Sequence, residues 1–585
     1  MKTNVLYFGD NLEILRNREY FPDECVDLIY LDPPFNSKRS YNILFKENDR
    51  WSEAQVKAFG DTWHWTPVTE NTYREFLLTA PLELGKLIEG MVDGPEGGGG
   101  WIGRNDVTAY LVMMAPRLQE MHRILKGTGS LYLHCDPTAS HYLKLVLDQI
   151  FGPAKFRNEI IWHYGGRGAK AISSQFSRNS DTILFYTKGG NAVFNKLYDT
   201  IKIPLADTKE YGLKKDESGR WFKTSPRGDY TDESIRRLEA EGRVYRTRSG
   251  NIRIKYFLRE EAGFIHESKL IGNVWNDIPD MMHAPKEYLG YETQKPLALL
   301  ERIIEASSNE GDIVLDPFCG CGTAVVAARK LNRRWLGIDI THLAVALMQH
   351  RLYGSFGIQA EVIGVPKDLA GAKSLALQKP DGRYQFQWWA LSLIGARPLG
   401  EKKKGADKGI DGVITFPDER PTRAKRAVVQ VKSGHVHVKD IRELKDIASR
   451  NAMGIFITLE PPTKEMQTEA MSAGYYHSPL WEKDYPKIQI LTIEELLAGK
   501  TVNMPSANPP FPKAQKIAQK EGVQPAIGRL KFNMGDIVIG NDRKASFRDR
   551  KGTIIGYEPR THEYLVRFDD GRNEYVNPSW LNQGV

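Results

Sequence analysis

Two short motifs carry residues whose types and spacing suit chemistry. Asp32-Pro33-Pro34-Phe35 comes near the start of the chain, and Asp316-Pro317-Phe318-Cys319-Gly320-Cys321-Gly322-Thr323 comes nearly 300 residues later. The first suits activation of an amino group. An exocyclic amino nitrogen of a base is a poor nucleophile because its lone pair is delocalised into the ring. Two acceptors on its N–H groups draw it towards tetrahedral geometry, and an ionised Asp32 with the Pro33 carbonyl supplies two. Both prolines fix their own φ, and Pro33 biases Asp32 away from the helical region. The peptide is therefore stiff before a substrate arrives, which lowers the ordering cost at the reacting centre. Phe35 offers a stacking face for an extruded base, worth about 1–3 kcal/mol. The second motif suits a nucleoside. Gly320 and Gly322 permit a tight turn and close approach of a ligand to the backbone. Asp339 lies 23 residues past Asp316, where a carboxylate is placed to accept two ribose hydroxyls.

The flanking elements set these positions. Leu28–Leu31 and Ile313–Leu315 are short apolar runs that read as buried strands. Both motifs then sit at carboxyl ends of strands, where open α/β sheets hold their ligands. Residues 1 to about 190 alternate strands (Val26–Leu31, Ser130–His134, Thr182–Tyr186) with helices (Tyr110–Leu125, Ser140–Ile150), which predicts a parallel sheet with crossover helices. The glycine run Gly94–Gly100 predicts a mobile surface loop. From about 190 to 285 the pattern loosens into short strands rich in Lys, Arg, Tyr and Gly, an insert or small subdomain. The α/β pattern returns at Thr293 and runs to about 365, with a helix over Ala324–Leu331 and a strand over Arg334–Ile338. A third region, 370–500, has its own helix (Tyr384–Ile394) and strands. Residues 501–528 are Pro-rich and read as a linker. The remaining 529–585 read as short alternating strands with a hairpin signal at Asp569–Arg572. The expected fold class is multidomain α/β: a Rossmann-like sheet, a second α/β domain and a small all-β barrel.

Length bounds this reading, since 585 residues exceed one core. A net charge of +8 suits a protein that holds a polyanion over part of its surface. Four cysteines, Cys25, Cys135, Cys319 and Cys321, are too few and too badly spaced for a disulfide framework. The C-x-C of Cys319 and Cys321 lacks a partner at metal-ligand spacing, and reads as small side chains in a tight turn. No apolar run approaches a membrane span and no signal-peptide core is visible, so a cytoplasmic location is expected. There is no phosphate loop for a nucleotide-driven motor.

The combination over residues 1–365 resembles the S-adenosylmethionine-dependent DNA amino-methyltransferases of the β group, in which the D-P-P-[YF] motif precedes the glycine motif. Tyr7-Phe8-Gly9-Asp10-Asn11, Lys126–His134, Asn158–Trp162 and Thr293-Gln294-Lys295-Pro296 resemble further segments of that family. The resemblance implies that Asp32, Pro33, Pro34 and Phe35 hold the target base. It implies that Asp316, Phe318, Gly320, Gly322 and Thr323 line S-adenosylmethionine, that Asp339 takes its ribose, that Lys295 and Pro296 pack near its methionine end, and that Asp10 touches it. It implies double-stranded DNA as partner, adenine rather than cytosine as target, and target recognition by residues 190–285.

Between about 405 and 434 a second constellation appears. Asp411 precedes the strand Gly412–Phe416, and Gln430 and Lys432 lie on Ala427–Lys432, with a turn over Pro417–Arg426 that brings the strands together. Gln430 and Lys432 are two residues apart and share one face of a strand. An acid, a polar acceptor and a lysine on one sheet edge suit Mg²⁺ binding, with Asp411 as the metal ligand, and activation of water for phosphodiester cleavage. The segment resembles the Mrr-like branch of the PD-(D/E)xK restriction-endonuclease fold. It departs from that pattern in the helix before it, which offers Gln385 and Gln387 where many such nucleases have a Glu. Residues 529–585 resemble an SH3-like or Tudor-like barrel, which implies contact with DNA or a protein partner. The expectation is a restriction-modification or phage-defence protein, a DNA methyltransferase fused to a DNA-cleaving domain. The alternatives are an inert nuclease-like module, cytosine amino-methylation, or a non-catalytic regulator that senses the cofactor. Oligomeric state is left open.

Overall fold

The computed structural model describes residues 1–34, 40–47, 50–60, 64–94, 99–165, 176, 179–284, 287–289, 291, 293–378, 382–399, 409–419, 423–507, 516–517, 537–540, 551–558, 563–570, 573–576 and 581–583. Phe35 and most of the glycine run Gly94–Gly100 lie outside them.

A nine-stranded sheet organises the first domain. Its strands are β1 (Val5–Phe8), β2 (Val26–Leu31), β3 (Leu125–Cys135), β4 (Phe156–His163), β5 (Ser180–Thr187), β6 (Val274–Trp275), β7 (Ile313–Asp316), β8 (Arg334–Asp339) and β9 (Glu361–Ile363). Their spatial order is β6-β4-β5-β3-β2-β7-β8-β1-β9. Both faces are covered. In β1, Val5 and Tyr7 enter one apolar cluster while Leu6 and Phe8 enter the other. In β2, Ile29 and Leu31 face one way and Leu28 and Tyr30 the other. Two buried faces explain why these strands read as unbroken apolar runs.

The sheet is mixed, which corrects the expectation of a parallel one. β5 runs antiparallel to both β3 and β4. Strand periodicity reports which face a residue takes but carries no sign of direction, so a reversed strand is invisible to it.

Helices α1 (Asn11–Arg16), α2 (Asp106–Ile124), α3 (Ser140–Phe151), α4 (Leu297–Ser307), α5 (Thr323–Lys330) and α6 (His342–Phe356) pack on the two faces. The ends of α2 follow from its caps. Asn105 accepts from the N–H groups of Val107 and Thr108, and the Thr108 hydroxyl accepts from the Asn105 N–H. Such a box satisfies donors that a helix start leaves orphaned.

The insert between 190 and 285 forms two small antiparallel sheets and a helix over Asp232–Ala240. Its basic look is deceptive. It holds 17 Lys and Arg against 15 Asp and Glu, and many are matched locally, as in Lys223–Glu267 at 2.9 Å and Arg220–Asp216 at 2.9 Å.

The second domain is a five-stranded mixed sheet. Strands Gly412–Glu419 and Arg423–Lys432 form a hairpin longer than expected, so the turn is shorter than Pro417–Arg426. Helix α7 (Gly382–Leu393) joins this sheet to the first domain, and one apolar cluster runs from Leu352 through Phe386, Trp389 and Leu391 to Phe416 and Val429. The start of the Pro-rich stretch is also packed rather than free. Val502 and Met504 lie on that cluster, and Gln489 bonds the Asn503 backbone. The C-terminal segment is an antiparallel five-stranded sheet, as its alternation suggested.

Candidate active site

The carboxyl ends of β2, β7, β8 and β1 lie side by side. The pairing of Leu315 with Ile29, Asp316 with Gly337 and Phe8 with Asp339 brings both motifs to one edge. One cavity opens there. Asp10, Asp32, Pro34, Lys295, Asp316, Phe318, Gly320, Thr323 and Asp339 all line it. Pro33, Pro296 and Gly322 do not. Pro296 is instead the buried residue that precedes α4.

The glycine turn is built as expected. Gly320 (φ 51°) and Gly322 (φ 76°) both have left-handed backbones, and Gly322 starts α5. A Cβ at Gly320 would lie 3.1 Å from the Tyr291 ring, and one at Gly322 would lie 2.7 Å from Met348 Cγ. Only glycine combines that backbone with that crowding.

Asp339 ends β8 and is already engaged with the turn. Its Oδ2 accepts from Gly320 N–H at 2.8 Å, and its Oδ1 accepts from the Thr341 N–H and hydroxyl at 2.8 and 2.9 Å. Burial pushes its carboxyl up to about 6, although those hydrogen bonds favour the charged form. Asp316 is 4% exposed, and burial followed by the nearby charges of Asp32 and Asp339 hold its pKa well above the usual carboxylate range. The Phe318 N–H donates to its Oδ1 at 3.1 Å. A cavity edged by buried carboxylates is poised to receive a cation or hydroxyl donors.

On the other side stands Asp32. Lys295 Nζ lies 2.6 Å from its Oδ2, with the two side chains 12% and 16% exposed. The resemblance implied Lys295 near a methionine end; the geometry puts its ammonium on the carboxylate of the Asp-Pro-Pro motif. Asp10 is held by its own neighbours. It caps α1 through Leu12 N–H at 2.7 Å and pairs with Arg117 at 2.7 Å.

Residue-type reasoning missed several cavity-lining groups: Tyr30, Arg117, Tyr291, Ile340 and Thr341. Tyr30 and Ile340 had a local signal, since each lies within two residues of a motif acid at a strand end. Arg117 had none. It lies inside α2 and reaches Asp10 and Asn11 only through packing, with Nε 2.6 Å from Asn11 Oδ1.

The cavity fits a sulfonium nucleoside on structural grounds. Asp339 presents a carboxylate beside a glycine turn, Ile340 is a half-exposed apolar flank next to it, and the buried acids favour positive charge. Among the described residues no group of three or more His, Cys, Asp and Glu side chains comes together as a metal site. Cys319 and Cys321 are free and buried. No helix of the described residues is long and apolar enough to cross a membrane.

The second constellation comes together at the hairpin of the second domain. Asp411 N–H donates to the Val429 carbonyl at 2.8 Å, which sets the acid beside Gln430 as the hairpin implied. One Asp411 oxygen accepts from Val431 N–H at 2.7 Å. Gln430 is 2% exposed and its side-chain oxygen has no hydrogen-bond partner among the described residues. Lys432 Nζ lies 3.3 Å from Asp440 on the following helix, Val438–Ser449. Gln385 on α7 accepts from His342 N–H at 3.1 Å, so its amide serves the contact with the first domain.

Comparison with known proteins follows this division. Residues 26–350 match the DNA methylase family of N6 and N4 type, and residues 385–498 match a family described as NACHT-associated inactive Restriction Endonuclease 1. Similar proteins include the Type II methyltransferase M.EcaI of Enterobacter cloacae, 32% identical over 269 residues, 42% of this chain and 57% of that protein. The Type III restriction-modification enzyme StyLTI Mod subunit of Salmonella typhimurium is 25% identical over 366 residues, 56% of this chain and 50% of that one. The DNA adenine methyltransferase YhdJ of Escherichia coli is 27% identical over 351 residues, 60% of this chain and 83% of that one. The chain thus spans about half the length of the first two. With more than half of its residues inside the matched region and the Asp32 and glycine-turn motifs at one cavity, the chain belongs to the N6/N4 DNA methylase family.

Proposed function

We propose that this protein transfers a methyl group from S-adenosylmethionine to the exocyclic amino nitrogen of adenine in duplex DNA, as part of a restriction-modification or phage-defence system. The observation that carries the reading is the single cavity shared by Asp32 and by the Asp339–Gly320 turn. The cofactor, when bound, supplies an electrophilic methyl on a sulfonium. Asp339 and the glycine turn would hold its ribose, with Phe318, Thr323, Asp316 and Asp10 around the rest. Asp32 would accept from the target amino group through Oδ1, since Lys295 occupies Oδ2, and the motif's pattern gives the second N–H to the Pro33 carbonyl, although Pro33 is buried outside the cavity lining. These acceptors act most strongly on the charge that develops at nitrogen in the transition state. Adenine is preferred to cytosine because Asp, rather than Ser, opens the Asp-Pro-Pro-Phe motif; this rests on the family's tendency. Mapping methylated bases in DNA from cells expressing the chain tests the reading. N6-methyladenine in a fixed sequence context is expected, N4-methylcytosine would correct the target, and a ring-carbon product would refute it.

For residues 370–500 the reading is a DNA-holding module that does not cut. The Gln430 side-chain oxygen is sealed without a partner among the described residues, Lys432 is paired with Asp440, and the helix ahead of the site brings no acid. Eight Lys and Arg stand against three Asp and Glu between residues 423 and 450, and although Lys432, Lys439, Arg442 and Lys445 are paired with acids, the net excess suits phosphate contact. Cleavage of DNA with Mg²⁺ or Mn²⁺, lost in Lys432→Ala, would restore Asp411, Gln430 and Lys432 to a nuclease role.

A further inference from the structure

Beneath the Asp-Pro-Pro motif lies a buried polar chain that the cofactor and base contacts do not use. Tyr30, His134 and Asp181 stand on β2, β3 and β5, three adjacent strands. Tyr30 Oη lies 3.0 Å from His134 Nδ1, and His134 Nε2 lies 3.1 Å from Asp181 Oδ2. His134 is fully buried and Tyr30 nearly so, whereas the Asp181 side chain is 18% exposed. Tyr30 lines the cavity, two residues before Asp32.

We propose that Tyr30, His134 and Asp181 form a relay that takes up the proton shed by the amino nitrogen as it is methylated; the proposal rests on the methyl-transfer reading above. The hydrogen-bond directions follow from the donor inventory. An ionised carboxylate only accepts. A neutral His134 between it and a phenol therefore carries its proton on Nε2 and presents the Nδ1 lone pair to Tyr30. The Tyr30 O–H then donates inward to His134, and its oxygen keeps lone pairs for a donor in the cavity.

Basicity decides between acceptors. Asp32 already shares one oxygen with Lys295, and an imidazole is intrinsically more basic than a carboxylate by about two to three pKa units. The amino nitrogen's lone pair forms the new N–C bond, and the C–S bond breaks with its electron pair left on sulfur, which becomes neutral. The nitrogen now carries a surplus proton and the positive charge. That proton passes to the Tyr30 oxygen as the Tyr30 proton passes to His134 Nδ1. The imidazolium so formed is held by Asp181, as a carboxylate holds the histidine of a hydrolytic triad. Asp181, being partly exposed, gives the proton a way to solvent.

Glutamine separates this role from a structural one. His134→Gln can accept from Tyr30 and donate to Asp181 but cannot take a proton. In single-turnover methyl transfer at saturating DNA and S-adenosylmethionine, His134→Gln and Tyr30→Phe are each expected to lose about a hundredfold or more in rate, the lower end of general-base effects. Cofactor and DNA affinities and melting temperatures are expected to stay near wild type. A second readout needs no turnover. In the cofactor-free full-length protein with ¹⁵N-labelled histidine, His134 is expected as the Nε2–H tautomer, and its Nδ1 resonance should move in Tyr30→Phe. Wild-type rates in His134→Gln, or the opposite tautomer, overturn the relay. An absence of methyl transfer by the wild-type chain overturns the functional reading itself, and the relay with it.

Discussion

Replacing Asp339 by asparagine separates what the carboxylate costs the fold from what it gives the ligand. Burial raises its pKa from 3.8 to about 6, which corresponds to about 3 kcal/mol against the ionised form at neutral pH. The sign follows from proton counts. Between those two values the folded protein holds a proton that the unfolded chain has released, so this group makes the protein more stable as pH falls from about 7 towards 4. Asp339→Asn would remove the charge and its cost. It would also put an amide NH₂ against either the Gly320 N–H or the Thr341 donors, where an acceptor stood. One unsatisfied buried donor costs about 1–3 kcal/mol. The two effects nearly cancel, so unfolding free energy at pH 7.5 should change by no more than about 2 kcal/mol. Ligand binding has no such compensation. Losing charge-assisted bonds to the ribose should cost about 1.5–3 kcal/mol, a roughly 10- to 150-fold rise in Kd for S-adenosylmethionine. Calorimetric titration and denaturant melts on both proteins measure the two quantities. In the wild type the affinity should also weaken as pH falls through about 6, because protonation removes an acceptor, and Asp339→Asn should flatten that dependence. An unchanged Kd in Asp339→Asn at pH 7.5, or a pH-independent wild-type Kd, would place the ribose away from Asp339.

Asp32→Ala should abolish methyl transfer while leaving the Kd for S-adenosylmethionine within a few-fold of wild type, since Asp32 has no cofactor role in the proposed reaction; residual turnover near the wild-type rate in a methyl-transfer assay would refute this. Gly320→Leu should block cofactor binding measured by calorimetry, because its Cβ already meets the Tyr291 ring at 3.1 Å. Gly322→Val should lower stability by about 1–3 kcal/mol from backbone strain alone, with more from the clash at Met348, as read from a denaturant melt. Lys432→Ala should leave methylation intact, and neither variant nor wild type should cut methylated or unmethylated DNA with Mg²⁺.

Much of the candidate site was legible because its signals are local. A strand, a glycine turn, a helix start and an acid 23 residues past Asp316 follow one another in the chain, and each is fixed by backbone geometry that short windows record. The strand at Val26–Leu31 and the helix following the turn at Gly322 emerge close to where periodicity put them. Other decisions rest on contacts between distant segments. Lys295 reaches Asp32 across 263 residues of chain, Arg117 reaches Asp10 across 107, and His134 reaches Tyr30 across 104 and Asp181 across 47. None of these pairs has a period or a spacing. Each depends on strand order and register, which also reversed β5, turned Gln385 towards the first domain and sealed Gln430 in the second. The amino-acid sequence determined which groups are available for chemistry. Only the packing of the sheet decided which of them meet, because side-chain pairing between strands is set by burial of whole faces and not by the residues that finally touch.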